Sequence, residues 1–249
     1  MPKVVTYNVN HSRRAEGAYA AFSWESRRDD VVALLRSLEA DILMIQEIPC
    51  VEVEWFESQF PQHHWSHKNE PGRGGAFTAM ATGVRTNISE HFGKFGERPD
   101  SLCVYWPATN CGIVNVHLPM ETSERSTAAN NIVFVKTANT QIKKWIVAGD
   151  FNAFPDQGGS EMMLQLNAEL GTYSGSEFAR SRVTGELATK TFRPYPYDYV
   201  PETALAMAGK LDHVLVKGFV TKSALVDDSP RPKHNWTPSD HFPVVLDLL

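Results

Sequence analysis

The sequence predicts an α/β chain in which stacked β-sheets are covered by helices. Apolar runs of strand length outnumber helical stretches. The helical stretches are interspersed among the strands without strict alternation, which suits stacked sheets better than a doubly wound parallel sheet. No internal repeat and no low-complexity linker divides the 249 residues, so 1–249 is expected to form one domain.

Lys3–Val9 reads as a strand that delivers a polar residue, Asn8, near its end. Trp24–Glu39 reads as a helix. Val31, Val32, Leu34, Leu35 and Leu38 fall at helical spacing, and Arg27, Arg28, Asp29 and Arg36 are expected on the opposite face. Ile42–Ile45 is continuously apolar and ends on Gln46 and Glu47. Ala76–Thr82, Leu102–Trp106 and Ile113–Val116 are further strands. A helix within Glu124–Thr140 leads to the strand Trp145–Ala148, which runs into Gly149-Asp150-Phe151-Asn152. Glu161–Leu170 is a helix closed by Gly171. Val214–Val216, Val220–Val226 and Val244–Leu248 complete the strands.

Hydrophobic residues make up 42% and charged residues 21% of the chain, ordinary proportions for a globular protein. No apolar run approaches the roughly 20 residues that a membrane span needs, so no membrane insertion is expected. MPKVVTYNVN alternates like a strand and lacks an apolar targeting core, which makes a cytoplasmic, intracellular setting the expectation. Cys50, Cys103 and Cys111 suit free thiols in a reducing compartment, although Cys103 and Cys111 could flank a turn and pair. The formal net charge of −5 argues against a protein that coats DNA. It leaves room for a carboxylate-rich site that binds a cation and, through it, a phosphate. The chain is expected to act as a monomer.

Polar residues fit for chemistry recur where apolar strands end: Asn8 in TYNV, Glu47 in ILMIQE, His117 in IVNVHL, Asp150 and Asn152 in IVAGDFN, Asp212 in KLDHV, and Asp240 with His241 in PSDHFPV. Strand ends are where a rigid scaffold displays site residues. A hard cation such as Mg²⁺ takes oxygen ligands, which Glu47, Asp150, Asp240 and the amides of Asn8 and Asn152 can supply. His117 and His241 add proton transfer near neutral pH and hydrogen-bond donation to a phosphoryl oxygen. Each residue taken singly has a bland reading: Asn8 as a turn cap, His117 as a satisfied core histidine, Asp150 as the close of a turn. Their joint recurrence at strand ends is harder to explain that way. His213 would face away from Asp212 on a strand and is assigned a structural role. His11, His63, His64, His67 and His91 fall in loop-like stretches and are expected at the surface.

TYNV, QE, NVHL, GDFN, LDHV and SDHFPV, in that order, resemble the endonuclease/exonuclease/phosphatase superfamily of Mg²⁺-dependent phosphohydrolases. The resemblance runs from Val4 to Leu248. It implies a four-layered α/β/β/α sandwich of two mainly antiparallel sheets flanked by helices. It also implies a metal site of Glu47 with Asn8 and Asp240, taking Mg²⁺ or, in its place, Mn²⁺. Asn152 and His117 would contact the scissile phosphate. Asp150 would position or deprotonate the attacking water, and His241 would act in catalysis with Asp212 accepting its ring N–H. Branches of the superfamily differ on whether Asp150 or His241 is the base, and both stay open here.

The implied substrate is a phosphoester. The Arg after GDxN and the W-x-D-R segment that mark inositol polyphosphate 5-phosphatases are missing, and His117 stands where abasic-site endonucleases have Tyr. Between Arg180 and Tyr199, Arg180, Arg182, Lys190 and Arg193 interleave with Phe192, Tyr195, Tyr197 and Tyr199. This pattern suits backbone contact and base stacking, with Arg193 and Tyr197 as candidate substrate contacts, and it favours a nucleic acid or nucleotide-like diester. A Pro-rich extended surface loop accounts for it equally well. Arg73 in PGRGG is read as solvated. The rival functions are a small-molecule or lipid phosphatase of the same fold and a non-catalytic binding relative. Retention of every motif residue argues against the second.

Overall fold

The computed structural model describes residues 2–10, 23–70, 78–85, 93–98 (backbone), 100–153, 158–191, 210–229 and 238–249. In chain order the elements are β1 (Lys3–Asn8), α1 (Trp24–Leu38), β2 (Ile42–Pro49), α2 (Val53–Ser58), β3 (His63–Glu70), β4 (Thr78–Arg85), β5 (Gly93–Arg98), β6 (Ser101–Trp106) and β7 (Cys111–His117). There follow α3 (Thr122–Ala138), β8 (Lys144–Asp150), α4 (Gly159–Leu170), β9 (Tyr173–Ser174), β10 (Arg180–Ser181), β11 (Asp212–Lys217), β12 (Thr221–Val226) and β13 (Val244–Leu248). Two mixed sheets result, a seven-stranded one in the order β10-β12-β13-β1-β2-β4-β3 and a six-stranded one in the order β5-β6-β7-β8-β11-β9. The parallel pairs β1–β2 in the first sheet and β7–β8 in the second are each joined through a helix, α1 and α3, and the first sheet also has β10 parallel to β12. Parallel neighbours need such a crossover, whereas the antiparallel pairs around them can be joined by short turns.

Side-chain alternation along these strands sorts the core into three layers. Val4, Ile42 and Met44 point between the sheets, where they meet Leu102, Val104, Ile113, Ile146, Val214 and Val216. Val5, Leu43 and Ile45 point outward onto Val31, Leu34 and Leu35 of α1 and Phe56 of α2. On the other side Val114, Val147 and Leu215 pack against Ala128 and Ile132 of α3 and Leu166 of α4. Three apolar interfaces separate four layers, as the resemblance implied. Gly171 closes α4 in the left-handed conformation, where its missing side chain removes the steric penalty.

Several sequence expectations need correction. Arg27 is fully buried on the apolar face of α1, because 24, 27, 31, 34 and 38 form one helical stripe. Its guanidinium donates to the carbonyls of Val9, Asn10 and Pro238, and these bonds compensate the burial of its charge. His63 lies buried in β3 and not in a surface loop, with Nε2 3.1 Å from the carbonyl of Ala40. That burial pushes its pKa down to about 4. Cys103 and Cys111, by contrast, are the buried free thiols expected of them. β2 runs through Gln46 and Glu47 to Pro49 and does not stop at Ile45.

The inward row of polar residues continues the core upward toward one end of the sandwich. Thr6 and Asn8 on β1, Gln46 on β2 and Asn115 on β7 are all fully buried. Gln46 Nε2 donates to Asn115 Oδ1 at 2.7 Å and to Thr6 Oγ1 at 3.1 Å, which ties β2 to the facing sheet. Asn115 Nδ2 crosses between the sheets and donates to the carbonyls of Ile45 at 3.1 Å and Ala81 at 3.0 Å. Those carbonyls flank a β-bulge, where the pairs Ile45–Ala81 and Ile48–Ala79 leave Gln46 and Glu47 opposite Met80 alone. Asn115→Leu keeps the volume and removes the donors. The variant should lose at least about 1–3 kcal/mol of unfolding free energy in urea titration, the cost of leaving buried acceptors unpaired. An unchanged midpoint would contradict the bridging role.

Candidate functional site

Register brings three of the motif residues into one line. His117 pairs with Asp150 across β7–β8, and Asp150 pairs with Asp212 across β8–β11. Their side chains share the inward face at the same end of the six-stranded sheet. From the facing sheet come Asn8, at the end of β1, and Glu47, which would point outward on a regular strand. The bulge reverses it. Ile45 and Ile48 both face α1, three residues apart, because Glu47 takes a left-handed φ of 58° and leaves the alternation. Asp240 and His241 arrive on the segment that enters β13. Ser239 anchors that segment by donating to the Asn8 carbonyl at 2.8 Å and accepting the N–H of His241 at 3.2 Å.

Gly149 makes the row possible. Its φ of 146° disfavours any side chain, and a Cβ there would lie 1.9 Å from the Val116 carbonyl oxygen. The chain then turns at Asn152, φ 46°, whose backbone N–H donates to Asp150 Oδ1 at 2.8 Å and whose Nδ2 donates to the Leu118 carbonyl at 2.7 Å. Arg125, buried in α3, donates to the Asn152 carbonyl from below.

Two carboxylate–imidazole pairs flank Asp150. His241 Nδ1 lies 2.9 Å from Asp212 Oδ2, and His117 Nδ1 lies 2.9 Å from Glu70 Oε1. An ionised carboxylate only accepts, so each ring carries its Nδ1 proton toward its partner and turns Nε2 to the site. The two Nε2 atoms stand 3.8 Å (His241) and 3.9 Å (His117) from the same atom, Asp150 Oδ2. His117 Nε2 is also 3.5 Å from Glu47 Oε1. Asn8 Nδ2 donates to Glu47 Oε1 at 3.0 Å and to Asp150 Oδ2 at 3.1 Å, while its own oxygen accepts from the Asn10 N–H. Asn8 therefore braces the two carboxylates with its nitrogen, and its oxygen accepts from the backbone with one lone pair.

The electrostatics follow. Burial alone would lower the pKa of His117, but Glu70, Glu47 and Asp150 outweigh it and raise it to about 10. His241 is likewise depressed by burial and carried to about 10 by Asp212, Asp150 and Asp240. Burial pushes the Asp150 carboxyl upward against the pull of His241. Asp240 is raised by burial and by the nearby Glu47. Two carboxyl groups held close in a poorly solvated position repel each other, and a divalent cation between them relieves that repulsion. Glu47 and Asp240 thus fit an oxygen-ligated metal. Asp150, Asp212 and His241 also place one ligand atom each within 4.8 Å of one another, a second arrangement that could hold an ion. Asp212 Oδ2 there is bonded to His241, while its buried Oδ1 has no hydrogen-bond partner among the described residues.

Glu70 is the partner that sequence reasoning missed. It ends β3, a strand of polar residues with little apolar alternation, and it also accepts from Thr78 Oγ1 at 3.1 Å. Asn115 carried a signal, since a polar residue two before His117 must share its inward face. His213 packs edge-on to Phe151 with Nε2 3.0 Å from the Lys210 carbonyl, the structural position expected of it. Of the basic stretch, Arg182 pairs with Asp227 at 2.9 Å and Arg180 donates to the Gly185 carbonyl. Arg193 and Tyr197, with Phe192, Tyr195 and Tyr199, lie outside the described residues, as does Arg73.

A sequence profile of the Endonuclease/Exonuclease/phosphatase family matches residues 5–241. The chain belongs to that family. Its members are hydrolases of phosphoesters that typically use a divalent metal. Among solved structures, the fold is similar to an endonuclease/exonuclease/phosphatase from Bacteroides vulgatus at 17% identity, TM-score 0.72, covering 100% of this chain and 98% of that one. It is similar to a mannosyl-6-phosphatase of Bacteroides thetaiotaomicron at 17% identity, TM-score 0.69, with 100% of both chains covered. The human Nocturnin catalytic domain with bound sulfate matches at 16% identity, TM-score 0.69, over 100% of this chain and 94% of that one. No curated protein sequence matches the chain. No helix among the described residues is long and apolar enough to cross a membrane.

A histidine whose pKa rises on folding holds its proton more tightly in the folded chain. The stability it contributes is fully present below the unfolded value near 6.5 and is lost as pH rises through about 10. In chelator-treated protein, urea unfolding should therefore show stability falling across that window, and the fall should be shallower in Glu70→Gln. Identical slopes would contradict the Glu70–His117 pair.

Proposed function

We propose that this protein is a divalent-metal-dependent phosphodiesterase that hydrolyses nucleic-acid or nucleotide-like diesters by in-line attack of water. The observation that carries the proposal is the placement of two tethered imidazoles on either side of Asp150, with Glu47 beside them. Glu47 and Asp240 would hold Mg²⁺, or Mn²⁺ in its place. The bound ion would supply Lewis-acid stabilisation of charge that builds on the phosphoryl oxygens.

The chain's own groups divide the remaining work. Asn8 keeps Glu47 and Asp150 in place through its two N–H bonds. Asp150 Oδ2 lies between the rings and accepts the proton of the attacking water. One imidazole Nε2–H donates to a phosphoryl oxygen, and the other delivers a proton to the leaving alkoxide, a group too basic to depart unprotonated. His241 suits the first role and His117 the second. Asp212 and Glu70 fix the tautomers that make both possible. Asn152 donates one Nδ2 hydrogen to the Leu118 carbonyl, and its second Nδ2 hydrogen is the donor that would contact a phosphoryl oxygen.

The nucleotide-like preference is supported by the Arg180–Tyr199 composition. A small-molecule phosphomonoester is the second reading. It is supported by the engagement of Arg180 and Arg182 within the protein, and by the fold shared with a mannosyl phosphatase. A panel of single-stranded DNA, duplex DNA, RNA, a nucleotide diester, a hexose 6-phosphate, inositol phosphates and sphingomyelin, each with Mg²⁺ and with excess EDTA, separates them. Turnover of polynucleotide or nucleotide diester, abolished by EDTA, is expected. Turnover confined to the hexose, inositol or lipid substrates would reject the nucleotide reading, and full activity in EDTA would reject the metal.

A further inference from the structure

Asp212 opens β11 of the six-stranded sheet, whereas His241 sits just before β13 of the seven-stranded sheet. The 2.9 Å contact between them therefore joins segments that no common strand ladder holds in register. Thr191 reaches both. It is fully buried, and its hydroxyl oxygen accepts two successive backbone N–H groups, Leu211 at 2.9 Å and Asp212 at 2.8 Å. Its own carbonyl accepts the N–H of Phe242, the residue after His241, at 2.7 Å. One residue thus grips the chain at Asp212 with its side chain and the chain beside His241 with its backbone.

We infer that Thr191 is a positioning residue that sets the Asp212–His241 contact across the two sheets. A hydroxyl oxygen has two lone pairs and can satisfy both N–H groups at once. Valine has nearly the same shape and can satisfy neither, so the start of β11 would shift to find other partners. Serine keeps the oxygen and loses only a methyl group. A displacement near 1 Å at a reacting group costs up to about 100-fold in rate, while substrate contacts made elsewhere are untouched. The signature of positioning is therefore a fall in kcat that serine rescues.

The test compares wild type, T191V and T191S with bis(p-nitrophenyl) phosphate and Mg²⁺, alongside NMR of the His241 Nδ1–H proton. T191V should lose roughly 10- to 100-fold in kcat with KM nearly unchanged, and T191S should stay close to wild type. The imidazole proton, sharp and far downfield in wild type and T191S through its bond to Asp212, should broaden or vanish in T191V. A folded T191V with wild-type kcat and a wild-type imidazole signal would overturn the inference. Turnover as a readout rests on the hydrolase reading. If wild type leaves this diester intact, the phosphodiesterase reading has failed, and the imidazole signal alone decides the role of Thr191. If T191V does not fold, hydrogen exchange in wild type decides instead. Slow exchange at the Leu211 and Asp212 amides supports the clamp, and exchange at the free-chain rate overturns it.

Discussion

One buried amide carries the junction on which the site depends. Asn115 reaches from the six-stranded sheet into the bulge of β2 and satisfies the carbonyls of Ile45 and Ala81. Without a bulge, strict alternation would turn Glu47 outward toward α1, and the six-stranded sheet would face an apolar strand end. With it, Gln46 stays inside and bonds to Asn115, Glu47 swings to the site, and Ile48 returns to the helix-facing core. A polar network inside an apolar sandwich is costly unless its members are paired. Here the amide nitrogens of Gln46 and Asn115 are paired, while Gln46 Oε1 has no partner among the described residues. The network fixes the relative placement of the two sheets as well, because the same side chain belongs to one sheet and bonds to the other.

Above that junction the site is built from charges that constrain one another. Three carboxyl groups converge there, Asp150 buried and Glu47 and Asp240 partly exposed, and two imidazoles stand among them. Each imidazole is anchored from behind by a further carboxylate, so its orientation is set before any ligand arrives. Buried arginines hold the loops beneath: Arg27 grips the turn after β1 and the segment before Asp240, and Arg125 grips the turn at Asn152. Rigid support of this kind fits hydrolysis of a phosphoester, where catalysis is mostly positioning and stabilisation of charge.

Much of this was legible in the sequence, for identifiable reasons. The apolar runs in KVVTYN, IVNVH and WIVAGD mark strands that end on Asn8, His117 and Asp150, helical spacing marks α1, and Gly171 marks the close of α4. The pairing of Asp212 with His241 followed from family resemblance and is present in the geometry. Two residues lack a sequence signal because they act through contacts between residues far apart in the chain. Glu70 reaches His117 from a polar edge strand that shows no amphipathic pattern. Arg27 differs: its charge points to solvent, but its helical spacing puts it on the apolar stripe of α1. Thr191 gives no local signal at all: its role exists only once β11 and the segment before β13 are brought together.

The claim that organises the account is that the bulged strand presents Glu47 to a metal shared with Asp240, opposite the imidazoles. Crystals soaked in Mn²⁺ and measured at the manganese absorption edge locate that ion directly. The account predicts an anomalous peak in contact with the carboxylates of Glu47 and Asp240, with the Asp212–His241 bond intact. A sole peak enclosed by Asp150, Asp212 and His241, or none at saturating Mn²⁺, would contradict it.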